Sequence, residues 1–156
     1  AANYIAKELI PSLKLTRPTI KVLISGANPT KQILNLKNNN LCVKGWTQDI
    51  REAYLSSKVF IAPMRIGTGL QNKLLEAMSL ELPCITSELV NQALLANNKK
   101  QLLIANLKEE YIKHINLLLD NPETRSDIGK QARKYIVDNF NWESSSQKLH
   151  NIMRST

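Results

Sequence analysis

One segment, residues 58–78, constrains the fold of this chain more than any other. Its sequence is KVFIAPMRIGTGLQNKLLEAM. Residues 59–62 form a short continuous apolar run, which is typical of a β-strand covered on both faces. Gly67 and Gly69 then bracket Thr68, so the backbone there can adopt conformations closed to other residues and approach a ligand closely. The segment therefore predicts a buried strand that runs into a glycine-rich loop.

The second half of this segment predicts a helix that begins at the glycine loop. Its apolar residues recur at the spacing of one helical stripe, and they are Leu70, Leu74, Ala77 and Met78. The N-terminus of such a helix presents free backbone N–H groups and the positive end of the helix dipole. Arg65 and Lys73 add formal positive charge on either side. This combination predicts a phosphate or diphosphate site; the alternative left open is an ordinary strand–turn–helix with a solvated polar face.

Strands and helices alternate along the whole chain. The predicted strands cover residues 19–25, 41–44, 59–62, 84–86 and 102–105. Helical spacing fills the intervals; Pro11 is expected to bend or end the first helix, and a last helix is predicted through Leu149 and Met153. The alternation predicts an α/β fold, in which a parallel sheet carries helices on both faces.

Three loops are predicted at one edge of this sheet. Ligands of parallel α/β sheets bind beyond the carboxyl ends of the strands. Besides the glycine loop, residues 26–28 and the pair Gly45 and Trp46 each follow a predicted strand. Their shared position favours a ligand site over a plain strand–turn–helix.

Composition argues against several classes of function. A length of 156 residues suits one domain with a hydrophobic core, and the formal net charge of +8 is spread without a dense basic run, so nucleic acid is not an expected partner. Cys42 and Cys84 lie in apolar runs and are interpreted as small buried hydrophobes, which predicts a reducing compartment. No group of His, Cys and carboxylate residues has metal-ligand spacing, so neither a metal nor a cofactor is expected.

Several stretches of the sequence resemble one known family. The run PMRIGTGLQNKLLEAM, followed by LELPCIT, is similar to the nucleotide-sugar-binding half of GT-B glycosyltransferases. More narrowly, it resembles the group-1 (family 4) retaining enzymes, which include bacterial sugar transferases of surface-polysaccharide pathways. The stretches KVLISGANP, CVKGWTQDI and NFNW occur in the family's order. The resemblance covers nearly the whole chain and implies a Rossmann-like sheet that forms the C-terminal half of a GT-B architecture.

The resemblance also implies roles for single residues. Glu76 matches the second of two glutamates separated by seven residues, and that second glutamate contacts the ribose hydroxyls of the donor. Gly45 and Trp46 match the loop that lines the nucleotide base, although Trp46 is equally well interpreted as a packing residue. The backbone amides of Asn72 and Lys73 match the family's diphosphate contacts. With the charge and the glycine loop described above, the predicted donor-diphosphate residues are Arg65, Gly67, Thr68, Gly69, Asn72 and Lys73. No residue of the chain is assigned a catalytic role.

The chain departs from the family pattern in two respects. Thr68 stands where the first of the two glutamates would be, which leaves the donor sugar undefined. The strand and basic loop that precede the first helix in the family are absent, as is the N-terminal acceptor domain. We therefore expect residues 1–156 to be a single donor-nucleotide-binding domain from a longer two-domain enzyme, inactive in isolation. A missing strand should expose unpaired sheet edges, through which the chain could form a homodimer.

The function implied by the resemblance is that of a retaining glycosyltransferase. The full enzyme would transfer a sugar from a nucleoside-diphosphate donor to a glycan or lipid-linked acceptor that is held by the missing N-terminal domain. It would act in the cytoplasm of a bacterium, with peripheral contact at the inner face of the membrane. One alternative is a non-catalytic interaction or scaffold domain, for which Thr68 would mark lost donor chemistry. A more distant alternative is half of a nucleotide-sugar epimerase.

Overall fold

The structure is a computed structural model that describes residues 1–66 and 69–141, together with Ser146, His150, Asn151, Met153 and Arg154. The strands are β1 (Val22–Ser25), β2 (Leu41–Lys44), β3 (Phe60–Ala62), β4 (Cys84–Thr86) and β5 (Leu103–Ile104). The α-helices are α1 (Ala2–Tyr4), α2 (Ile10–Thr16), α3 (Lys31–Leu34), α4 (Ile50–Leu55), α5 (Asn72–Ser79), α6 (Glu88–Leu94), α7 (Lys108–Asp120) and α8 (Pro122–Asn139). Every predicted strand is present, so the α/β prediction is confirmed.

A π-helical turn joins α1 to α2, and it keeps the first helix continuous past Pro11. The turn covers Ile5–Leu9, and the N–H of Ile10 donates to the carbonyl of Ile5. Proline disrupts a helix because its ring strikes the carbonyl four residues earlier and because it lacks an N–H. The wider π turn changes the hydrogen-bonding partners just before the proline. The prediction that Pro11 ends the helix is therefore wrong, since the helix continues to Thr16, whereas the predicted bend stays a prediction.

The strands form two parallel sheets in place of one continuous sheet. One has the order β1-β2, and the other has the order β3-β4-β5. Within the described chain, β1 pairs only with β2, and β3 pairs only with β4, so each has one edge without a neighbour. Apolar side chains of both strands, among them Ile24 and Ile61, nevertheless pack against the same buried cluster. Among the described strands, β1 and β3 thus each have an unpaired edge, and the link of these edges to a missing strand stays a prediction.

The three-stranded sheet has a hydrophobic core on each face. Ile85 of β4 belongs to a cluster with residues of the N-terminal helices and α7, whereas the adjacent Cys84 belongs to a cluster with residues of α5, α6 and α8. Both side chains are 0% exposed. Successive strand residues point to opposite faces, so one strand contributes to both clusters. The prediction of helices on both faces is confirmed for this sheet.

Two sequence-based predictions of burial are wrong. Cys42 is exposed, because β2 is an edge strand on which Leu41 and Val43 are buried while the alternate side chains face outward. Leu70 is 41% exposed, and it lies before α5, which begins at Asn72. The spacing of hydrophobic residues does not show which face of an edge strand is exposed to solvent. It also does not show at which residue a helix begins.

The C-terminal predictions lie partly outside the described residues. Trp142 and Leu149 fall there. Met153 is helical and 71% exposed. In the part of the chain that the structure describes, no helix has both the length and the apolar character needed to cross a bilayer.

Candidate functional site

The loop between β3 and α5 begins at the carboxyl end of β3. The strands of each sheet are parallel, so within a sheet their carboxyl ends lie at one edge. Gly69 has a φ of 85°, in the left-handed region that favours glycine, and it turns the chain towards α5. The predicted ligand residues Gly67 and Thr68 lie outside the described residues. Arg65, before these two residues, and Gly69, after them, are described.

The first turn of α5 has no side-chain cap among the described residues. Gln71 occupies the N-cap position, but its side-chain nitrogen donates back to the carbonyl of Gly69 at 3.4 Å. The carbonyl of Gln71 accepts from the N–H of Leu74 at 2.9 Å. The amides of Asn72 and Lys73 have no described acceptor, and both residues are exposed. This helix start can accept an anion through backbone N–H groups.

Glu76 lies on the same helix, and a tyrosine holds its carboxylate. The hydroxyl of Tyr54, in α4, donates to Oε2 of Glu76 at 2.9 Å and lies 3.2 Å from the carbonyl oxygen of Lys73. Tyr54 is 9% exposed, whereas Glu76 is exposed. Burial, and then the hydrogen bond to Glu76, raise the pKa of Tyr54, so the phenol stays protonated and acts as a donor. The structure thus brings Tyr54, Lys73 and Glu76 together.

Arg65 is placed against the N-terminal helix. Its guanidinium carbon lies 4.5 Å from the ring centroid of Tyr4, which is the geometry of a cation–π contact. Arg65, Lys7 and Lys108 line an open cleft of about 430 Å³. Glu8 also lines it and lies 4.0 Å from the amine of Lys108. The cleft therefore has a net positive lining and could attract an anionic group.

Gly45 and Trp46 stand apart from α5. Trp46 is 73% exposed, and within the described residues it makes no hydrogen bond or ring contact with α5. The interpretation of Trp46 as a packing residue is therefore wrong for this structure. An exposed indole at the end of β2 remains available to stack on a flat ring.

No metal centre is evident in the described part of the chain, where no three His, Cys, Asp or Glu side chains are grouped to hold an ion. The expectation that the site needs no metal or cofactor stays a prediction.

Sequence reasoning missed the role of Tyr54 and that of Tyr4. On the sequence alone, Tyr54 is one of the apolar positions of the predicted helix after Asp49, and Tyr4 lies beside the apolar stripe of the first helix. A buried tyrosine hydroxyl usually finds a hydrogen-bond partner, so a tyrosine on the inner face of a helix signals a polar contact. The sequence does not show which group is that partner, because the contact joins residues 22 positions apart.

Comparisons with known proteins agree with this architecture. Residues 1–121 match the family model described as Glycosyl transferases group 1. The chain is 30% identical over 108 residues to spore coat protein SA of Bacillus subtilis (strain 168), covering 67% of this chain and 29% of that protein. It is 28% identical over 121 residues to the UDP-Gal:alpha-D-GlcNAc-diphosphoundecaprenol alpha-1,3-galactosyltransferase of Escherichia coli, covering 76% of this chain and 30% of that protein.

A solved structure has a similar fold. The crystal structure of Anabaena Alr3699/HepE in complex with UDP superposes with a TM-score of 0.81 and 16% sequence identity, covering 95% of this chain and 44% of that one. The chain thus spans less than a third of the length of the two curated relatives and less than half of the solved chain.

Proposed function

The chain belongs to the glycosyl transferases of group 1, and we propose that it is the donor-nucleotide-binding domain of a retaining glycosyltransferase. Its fold is that of the C-terminal half of a GT-B enzyme. The full-length protein would transfer a sugar from a nucleoside-diphosphate donor to a glycan or lipid-linked acceptor. Residues 1–156 would be inactive alone, because the acceptor would bind to a further domain.

One observation carries this proposal: α5 combines an uncapped N-terminus with a carboxylate one turn later. The amides of Asn72 and Lys73 would bind the donor diphosphate, assisted by the side chain of Lys73. Glu76 would accept hydrogen bonds from the ribose hydroxyls, since Tyr54 occupies only one of its two carboxylate oxygens. The spacing of an anion site and a diol acceptor along one helix matches the order of groups in a nucleoside diphosphate.

The remaining predicted residues complete the proposed site. Arg65 would stabilise the negative charge that develops on the leaving diphosphate as the glycosidic bond breaks. The backbone of the glycine loop, at Gly67, Thr68 and Gly69, would approach the same diphosphate. Gly45 and the exposed Trp46 would line the nucleotide base.

The similar proteins support a narrower choice of donor and acceptor. The galactosyltransferase of Escherichia coli uses, by its name, UDP-Gal and a diphosphoundecaprenol-linked acceptor. The similar Anabaena structure holds UDP. We accordingly favour a uridine diphosphate sugar as donor and a lipid-linked acceptor, used in the cytoplasm with peripheral contact at the inner face of the membrane. No nucleic acid, metal or cofactor takes part in the proposed reaction, and the open edges of β1 and β3 would support a homodimer of the isolated chain.

Isothermal calorimetry of the full-length protein with UDP, GDP and ADP tests this function. We expect UDP to bind and Glu76→Ala to weaken its affinity by at least about tenfold, because a hydrogen bond to a charged group is worth roughly 1.5–3 kcal/mol. Lys73→Ala should weaken the affinity by only several-fold, because the Lys73 side chain is exposed and its backbone amide remains. Glu123→Ala and Lys130→Ala, exposed positions on α8, are matched controls that should leave affinity unchanged.

The outcomes separate the proposal from its alternative. A full-length protein that binds no nucleoside diphosphate would contradict the proposed function. One that binds UDP but turns over no nucleotide sugar with any lipid-linked or glycan acceptor would support the non-catalytic scaffold domain.

A further inference from the structure

We infer that Tyr54 is a positioning residue that orients Glu76 for the ribose and thereby makes the site selective for ribonucleotides over 2′-deoxyribonucleotides. This inference rests on the proposed function, because it concerns the same nucleotide site. Tyr54 does not itself touch the ligand in this scheme; it acts through the carboxylate of Glu76.

The ring of Tyr54 is held firmly before any ligand arrives. It is 9% exposed and packs against Phe60 of β3, with ring centroids 5.7 Å apart and planes inclined at 60°. The helix that carries it is capped by Asp49, whose carboxylate accepts from the N–H of Arg51 at 2.9 Å. A buried ring on a capped helix loses little conformational entropy when its hydroxyl forms a hydrogen bond.

The hydroxyl of Tyr54 links two groups on successive turns of α5. It lies 2.9 Å from Oε2 of Glu76 and 3.2 Å from the carbonyl oxygen of Lys73. Residues three apart on a helix lie on one face, so one hydroxyl can reach both. Tyr54 therefore connects the carboxylate to the first turn of the helix, where the diphosphate would bind.

This contact fixes which oxygen of Glu76 is available. A free glutamate side chain samples many rotamers, and a ligand that captures it must order it. With Oε2 held by Tyr54, Oε1 has no hydrogen-bond partner among the described residues, and Glu76 is an exposed residue. A carboxylate oxygen carries two acceptor sites, so Oε1 can accept from the vicinal hydroxyls of ribose. A deoxyribose lacks one of these donors and gains less from the ordered carboxylate.

The test compares binding of UDP and 2′-deoxy-UDP to the full-length protein. The variants are Tyr54→Phe, Glu76→Ala and the double variant. We expect Tyr54→Phe to weaken UDP binding several-fold, because the carboxylate that accepts from the ribose is no longer ordered in advance, and to weaken 2′-deoxy-UDP binding much less. In the Glu76→Ala background, Tyr54→Phe should cause no further loss, because the group it orients is gone.

Tyr135→Phe is the matched control. The hydroxyl of Tyr135 donates to the carbonyl of Leu94 at 2.8 Å, and its ring packs against Phe140 at 5.9 Å, but it makes no contact with Glu76 among the described residues. This variant removes a comparable hydroxyl from a comparable aromatic pair. It should leave the ratio of the two nucleotide affinities unchanged.

Three results would overturn the inference. Tyr54→Phe could leave the preference for UDP over 2′-deoxy-UDP intact, in which case Tyr54 does not orient the ribose contact. It could weaken binding equally in the presence and absence of the Glu76 carboxylate, which would assign Tyr54 a general structural role. If the wild-type protein binds neither nucleotide, the proposed function fails and the inference falls with it, a pattern distinct from the first two.

Discussion

Gly129 shows how a single residue can be required by packing. It lies on α8, and a Cβ added to it would meet the carbonyl oxygen of Glu81 at 2.1 Å and the carbonyl carbon at 3.0 Å. Glu81 follows α5 with a φ of 59°, a left-handed conformation that fixes where its carbonyl points. The added Cβ would meet backbone atoms of Glu81, so no side-chain rotation can relieve the contact. Gly129 therefore permits α5 and α8 to approach closely.

We predict that Gly129→Ala lowers the free energy of unfolding. Alanine would gain about 1 kcal/mol in helix propensity over glycine. Forcing a methyl group into a packed contact costs about 1–3 kcal/mol, and the cost should lie at the upper end because the carbonyl of Glu81 must shift. The overpacking term wins, and urea denaturation should show a lower midpoint.

Gly26→Ala is the control for this prediction. A Cβ at Gly26 meets no atom within 4 Å, so that variant should unfold within a few tenths of a kcal/mol of the wild type or slightly above it. Equal midpoints for Gly129→Ala and the wild type would show that the two helices separate without cost.

At the scale of elements, the N-terminus of α5 is less stable than it could be. Its N-cap residue, Gln71, does not cap, and the amide of Lys73 is left for a ligand. Aspartate or serine at an N-cap accepts from such an amide and typically stabilises a helix by about 1 kcal/mol. An uncapped start here is consistent with a helix that gives up some stability in order to bind an anion.

We predict that Gln71→Asp raises the thermal midpoint of the protein and weakens UDP binding. The carboxylate would accept from the amide that the diphosphate is proposed to use, and its negative charge would repel the diphosphate. Gln71→Ser should raise the midpoint similarly but weaken UDP binding less, since it adds no charge. Differential scanning fluorimetry and calorimetry on both variants provide the measurements. Unchanged UDP affinity in Gln71→Asp would show that the diphosphate does not bind at this helix end.

At the scale of the whole molecule, the break between β1 and β3 is the most unusual feature. The N–H of Val22 donates to the carbonyl of Asn40 at 2.8 Å, and the N–H of Gly26 donates to the carbonyl of Lys44 at 3.3 Å. By strand alternation, the backbone groups of Leu23 and Ser25 therefore point away from β2. The hydroxyl of Ser25 is buried without a hydrogen-bond partner in the described structure. Unpaired strand edges are templates for another strand. The open edges of β1 and β3 could each accept one more strand.

We predict that the isolated chain self-associates through the open edges of β1 and β3. Multi-angle light scattering should show mass increasing from monomer towards dimer as the concentration is raised from micromolar to near-millimolar. Leu23→Lys adds a charge on β1 at a half-buried side chain that packs in neither core cluster, and it should reduce the association. Gln48→Lys adds the same charge at an exposed position outside the strands and should not. A wild-type chain that stays monomeric throughout would contradict the proposed pairing.

The sequence by itself determined the strands, most of the helices and their order. Predicted strands 41–44 and 84–86 agree with β2 and β4, and Pro122 begins α8 as expected of a proline in a first helical turn. These features depend on periodicity, turn residues and caps, which involve neighbours along the chain. Recognition of the family also rested on short motifs and needed no tertiary information.

Only the tertiary structure decided which side chains meet. It placed Cys42 on an exposed face, carried the first helix past Pro11, and paired Tyr54 with Glu76. Each outcome depends on residues distant in sequence or on the position of a strand at the edge of a sheet. The local sequence pattern contains no information about either. The helix that follows the glycine loop could be predicted from its stripe of apolar residues, but the hydroxyl that orients its glutamate comes from a different helix.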